Sequence, residues 1–123
     1  MATWEDVERV VATLPGVVEG TGHGGRVWKV RGHPVVWERP LRRADRAHLG
    51  DAAPPGPVLG VRAEDLDAKE AALAEMSGMF TTPHFDGYAV VLVDLDRVDP
   101  EDLAELVERA GRDAAAAPRR RSR

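Results

Sequence analysis

Apolar residues recur every three or four positions at the start of the chain. Trp4, Val7, Val10, Val11 and Leu14 fall on one side of a helix, with Glu5, Glu8 and Arg9 on the other. Thr3 stands where an N-cap is needed, and Asp6 three residues later supplies the partner of a capping box. Pro15-Gly16 ends the helix, and Gly20 to Gly25 reads as a flexible loop.

The period then changes to two. Residues Arg26 to Glu38 predict a hairpin, with Gly32-His33 as the central pair of a type II′ turn. That turn pairs Arg31 with Pro34, Val30 with Val35 and Trp28 with Trp37. One face then carries Trp28, Val30, Val35 and Trp37, and the other Val27, Lys29, Arg31, Val36 and Glu38. A slip by one residue would bury charges, which favours this register. It also predicts a cross-strand Trp28–Trp37 contact contributing roughly 0.5–1.5 kcal/mol.

Further along, residues 39–48 predict a short helix, followed by a proline-rich loop to Pro57. Val58 to Arg62 predicts a strand. Glu64 to Met76 predicts a helix burying Leu66, Leu73 and Met76, with Gly78 as its C-cap. Met79 to Phe85 predicts a strand interrupted by Pro83, and Tyr88 to Leu95 the most apolar strand. Asp99-Pro100 opens a last helix that buries Leu103, Leu106, Val107 and Ala110. The resulting class is α+β, a mostly antiparallel sheet with helices packed largely on one face. One domain over residues 1–113 is expected, with 114–123 a low-complexity basic tail that frays.

Composition narrows the function. A chain of 123 residues with 43% hydrophobic and 31% charged residues is that of a globular domain. The absence of cysteine excludes disulfides, thiolate nucleophiles and thiolate metal sites, and accords with a cytoplasmic location. The first residues show no export signal, and no apolar run reaches the roughly 20 residues of a membrane span. The net charge of −4 is unevenly spread. Residues 23–48 hold seven Arg or Lys against two acids, whereas residues 49–113 hold five against fifteen.

Several segments together resemble the MmcQ/YjbR family. They are Thr3-Trp4-Glu5-Asp6-Val7, Val27-Trp28-Lys29-Val30-Arg31, Val36-Trp37-Glu38-Arg39-Pro40-Leu41-Arg42-Arg43-Ala44-Asp45, and Phe80-Thr81-Thr82-Pro83-His84-Phe85-Asp86-Gly87-Tyr88. The resemblance covers about residues 2–110 and points to the actinobacterial branch. It implies a fold related to the frataxin-like proteins and, by analogy with double-wing domains, DNA binding. It implies no catalytic residues. Beyond about Arg109 the chain departs from the family pattern.

The candidate nucleic-acid contacts are Arg26, Lys29 and Arg31 on the hairpin and Arg39, Arg42, Arg43 and Arg46 after it. Such a cluster would neutralise phosphates and give salt-dependent binding. A plainer reading has these arginines pair with the acidic region 49–113. The bias of fifteen Arg to two Lys also weakens each arginine as a functional signal. The alternative site is a small-ligand or protein-binding pocket around Thr82, His84 and Tyr88. The four histidines, His23 in its glycine loop among them, have no metal-ligand spacing, and Glu5, Asp6 and Glu8 read as a solvated helix face rather than an iron ridge. The glycine run 20–25 lacks the strand and helix a phosphate loop requires. The sequence therefore predicts a non-enzymatic binding module without metal or cofactor. Oligomeric state is left open.

Overall fold

The computed structural model describes residues 1–22 and 24–120. His23 and the tail residues Arg121 to Arg123 lie outside the described residues. Helix α1 spans Trp4–Val11, and its capping box forms as expected. Thr3 Oγ1 accepts from the Asp6 amide at 3.3 Å, and Asp6 Oδ2 accepts from the Thr3 amide at 2.8 Å. Strands β1 (Val17–Gly22), β2 (Gly25–Val30) and β3 (His33–Glu38) follow as a meander. Helix α2 (Arg43–Leu49) and a 3-10 turn lead to β4 (Val58–Arg62), then α3 (Leu66–Glu75) and β5 (Met79–Phe80). A second 3-10 turn at Pro83–Phe85 precedes β6 (Val90–Asp94) and α4 (Pro100–Ala116). The six strands form one antiparallel sheet in the order β1-β2-β3-β4-β6-β5. The α+β class and the antiparallel sheet are as the sequence predicts.

The larger core lies on one face of the sheet. Val7 and Val11 of α1, Ala72 of α3, and Leu103, Leu106, Val107, Ala110 and Ala114 of α4 meet Leu59 and Val61 of β4 and Val91 and Val93 of β6. Helix α4 approaches Leu14 so closely that a Cβ on Gly111 would stand 2.6 Å from Leu14 Cδ2. A smaller cluster, Val58, Phe85 and Leu92 with Leu41, Phe80 and Val90 against it, lies on the opposite face.

The hairpin departs from the predicted register. Arg31 and Gly32, not Gly32 and His33, occupy the turn, with φ of 53° and 80°. Positive φ at both central residues is the signature of a type I′ turn, whose twist matches the strands. Val30 therefore pairs with His33 and Lys29 with Pro34. The register then shifts, and Trp28 pairs with Val36 and Val27 with Trp37. Val35 is the extra residue of a β-bulge. The bulge lets adjacent Val35 and Val36 both sit fully buried in the main core. It also reverses the side to which Trp37 points. Trp28 stays on the helix face, Trp37 lies on the other, and the expected Trp28–Trp37 contact does not form.

Four further expectations are corrected. The first half of the glycine loop is strand β1, because its backbone completes the ladder with β2. Residues 81–85 do not continue β5, since Pro83 opens a 3-10 turn instead. On α3 Leu66 is 49% exposed rather than inward and Lys69 and Ala72 are the buried positions, while Leu73 and Met76 pack against the core as predicted. The predicted tail begins too early. Alanine is the strongest helix former, and Ala114 is fully buried, so α4 runs through Ala116.

Gly60, in the middle of β4, accounts for the seat of Trp37. A Cβ there would overlap Cε2 and Nε1 of the Trp37 indole, so the ring lies directly over the glycine. Gly60→Val is expected to destabilise the protein by about 1–3 kcal/mol through overpacking. A denaturant titration with tryptophan emission checks this, and unchanged stability and emission would show that the indole does not rest there.

Candidate functional site

Opposite the three core helices, the sheet carries an open concavity of about 1320 Å³. Small-molecule pockets are usually roughly 300–1,000 Å³ and enclosed. Val27 and Trp37 form its floor, Lys29 and Pro34 one side, and Arg39, Arg42, His84 and Phe85 another. Strand alternation explains the grouping: Val27 and Lys29 point the same way along β2, and the bulge brings Trp37 to join them. Arg42 arrives as the residue that caps α2, its amide donating to Asp45 Oδ2 at 2.8 Å.

Arg120 comes from the far end of the chain. Residues 117–120 run across the β2–β3 turn after α4 ends. The Arg120 amide donates to Arg31 O at 2.8 Å, Arg31 Nε donates to Ala117 O at 3.1 Å, and His33 Nε2 lies 2.7 Å from Pro118 O. A Cβ on Gly32 would overlap the Arg120 carbonyl, so the glycine serves both the turn and this crossing.

The charges around the concavity are unequal in role. Arg39 is only 5% exposed; its Nη2 lies 3.1 Å from Asp45 Oδ2, and its guanidinium stacks 5.2 Å from the Phe85 ring centroid. That Nη2 contact is ionic, without the alignment of a hydrogen bond, while Nη1 donates to Pro40 O at 2.6 Å. Burial pushes the Asp45 carboxyl up. The Arg42 amide bond and the Arg39 charge outweigh it and hold the group below the ordinary carboxylate range. The Thr82 hydroxyl lies beside that carboxylate, buried and outside well-directed hydrogen-bond geometry. Glu38, the one acid lining the concavity among the described residues, is engaged: its Oε1 accepts from the Arg26 amide at 2.7 Å. Among the described residues, Lys29, Arg42 and Arg120 form no ion pair.

The predicted site residues thus divide. Lys29, Arg39 and Arg42 meet at the concavity. Arg26 lies elsewhere, bonded to Glu8 at 3.2 Å and Glu19 at 3.0 Å and stacked 4.6 Å from the Trp28 ring centroid. Arg31 is used at the end of α4, and Arg43 and Arg46 are exposed on α2 outside the concavity. The alternative trio does not form a pocket: Thr82 is 1% exposed in the interior, Tyr88 is 64% exposed, and only His84 reaches the concavity. Its partner Phe85 is packed edge-on at 4.8 Å. Lys69 had no place in the sequence reading. It is buried on α3 and donates to Phe85 O at 2.8 Å and Tyr88 O at 2.9 Å, which fixes the loop that presents His84.

Comparison with known proteins gives the chain relatives in mycobacteria. It is 46% identical over 114 residues to "Uncharacterized protein Rv2570" and "Uncharacterized protein MT2646" of Mycobacterium tuberculosis, covering 89% of this chain and 86% of each relative. The same figures hold for "Uncharacterized protein Mb2600" of Mycobacterium bovis. The chain belongs to the family of these mycobacterial proteins. No family model and no solved structure matches it. Among the described residues no helix is long and apolar enough to cross a membrane, and no group of three metal-ligating side chains converges.

Asp45 anchors the segment that brings Arg42 to the concavity. Asp45→Asn leaves Arg39 buried without its counter-charge and is expected to cost about 3–5 kcal/mol at neutral pH. The folded carboxyl titrates lower than the unfolded one, so its contribution is full above the ordinary carboxylate pKa and is lost as pH falls below about 4. Denaturant titrations of both proteins across acid pH should therefore converge. A constant difference between them would contradict the ion pair.

Proposed function

We propose that this protein is a non-enzymatic binding module of the MmcQ/YjbR type that holds nucleic acid by its phosphates. The surface it uses is the open face of the sheet. The observation that carries this reading is the convergence of Lys29, Arg42 and Arg120 on one concavity. None has a carboxylate partner among the described residues, and the one acid among the lining residues is committed to a backbone amide. Cations held together without partners repel one another, and an incoming polyanion relieves that repulsion while releasing its own counterions. Arg39 acts differently. Its charge is balanced by Asp45, so it stiffens the wall instead of adding field. The size and openness of the concavity favour an extended ligand over an enclosed small molecule. The acidic net charge of the chain then confines attraction to this face. A cytoplasmic site of action accords with the cysteine-free sequence.

Binding to random-sequence nucleic acid should weaken linearly on a logarithmic salt scale. Lys29→Ala and Arg42→Ala should each weaken it and lower the salt slope by about 1. Arg43→Ala with Arg46→Ala should change it little, because those side chains lie outside the concavity. Fluorescence anisotropy across a salt series reads both quantities. Absence of binding at low salt, or a larger loss from the Arg43 and Arg46 changes, would overturn the assignment.

A further inference from the structure

Phosphate contacts alone do not explain why an indole lines this surface. Trp37 is half-buried at the floor of the concavity, flanked across the strand by Val27. Its seat is built by two backbone features. The Val35 bulge turns the side chain away from the core, and the missing Cβ of Gly60 lets the ring lie down on β4. The side chain is thus pre-positioned at low entropic cost, with the rest of the ring left to the concavity. Three cations line the same concavity: Lys29 on the neighbouring strand, Arg42 at the start of α2, and Arg120 on the segment that crosses the hairpin. An aromatic side chain with a fixed seat, sharing its concavity with cations that form no ion pair among the described residues, is the arrangement that accepts bases by stacking and the backbone by charge.

We propose that the open face binds single-stranded nucleic acid, with one unpaired base stacked on the Trp37 indole and the flanking phosphates near Lys29, Arg42 and Arg120. The proposal rests on the nucleic-acid reading above and adds the strandedness and the stacking residue. A duplex keeps its bases stacked inside the helix and offers Trp37 only sugar and phosphate, so it gains nothing from the indole. Stacking is indifferent to base identity, so little sequence preference is expected. DNA and RNA single strands share the needed chemistry and should both bind.

The test uses short oligothymidylate, oligouridylate and a random duplex of equal charge, each titrated at low salt. Trp37 emission should quench with the single strands. Trp28, 3% exposed on the opposite face, and Trp4, packed against the helix-side core, should not respond, and the quench should be lost in Trp37→Leu. Trp37→Leu should weaken single-strand binding roughly 5- to 150-fold, the range for one stacked base. Trp37→Phe keeps an aromatic face and should recover most of it. Circular dichroism verifies that the variants fold. Should the leucine variant not fold, quenching in the unaltered protein and the phenylalanine variant decide the question. Two outcomes overturn the stacking proposal while leaving phosphate binding in place. One is single-strand affinity unchanged in Trp37→Leu while Lys29→Ala weakens it. The other is duplex binding as tight as single-strand binding without quenching. Failure of all three probes to bind overturns both readings.

Discussion

The extra residue at Val35 sets which side chains the two faces of this sheet display. Without the bulge, period-two alternation from the Val30–His33 pair would carry Trp37 back to the helix face. With it, Val35 and Val36 are both spent on the core, and every later side chain of β3 is inverted. Trp37 then needs space on a sheet surface where a Cβ at position 60 would block it, and Gly60 provides it. The type I′ turn at Arg31-Gly32 fixes the start of this register, and the bulge changes it two pairs later. The floor of the concavity follows from these few backbone features rather than from any one strong contact.

The arginines divide by what their local geometry leaves free. Arg39 is committed to Asp45 and Phe85, Arg26 to Glu8, Glu19 and Trp28, Arg31 to a carbonyl at the end of α4, and Arg62 to Asp113 at 2.8 Å. These interactions hold segments in place. The plainer expectation, that the basic stretch pairs with the acidic region 49–113, is not what forms: Arg26 pairs with Glu8 and Glu19, and Arg39 with Asp45, all outside that region. Pairing with nearer acids describes Arg26 and Arg39. It does not describe Lys29 or Arg42, which face the same opening as Trp37. Exposed ion pairs such as those of Arg26 contribute little each, whereas the buried Arg39–Asp45 pair is costly to break from one side.

Much of this was legible in the sequence where local chemistry decides the outcome. The Thr3/Asp6 capping box, the Asp99-Pro100 helix start and the apolar strands β4 and β6 each rest on residues close together in the chain. The hairpin faces were not legible, because two turn types compete for Gly32 and the alternation rule assumes no bulge. Gly60 was the available signal: a glycine inside an otherwise apolar strand marks a close approach by another group. Arg120 is legible only as part of a basic terminal run, because an alanine-rich stretch carries no signal of where the residues after it pack. The buried environment of Ala114 and the crossing over Gly32 depend on tertiary packing that composition does not carry. Lys69 was likewise placed by distant carbonyls on the 85–88 loop.

The most direct measurement is a two-dimensional amide and indole NMR titration of the protein with oligothymidylate. If the open face is the working surface, the Trp37 indole N–H and the amides of Val27, Lys29 and Arg42 shift together and saturate at one affinity. Signals of α1 and of Trp28 should stay in place. Shifts concentrated on α1 or α4, with the Trp37 indole unmoved, would contradict it.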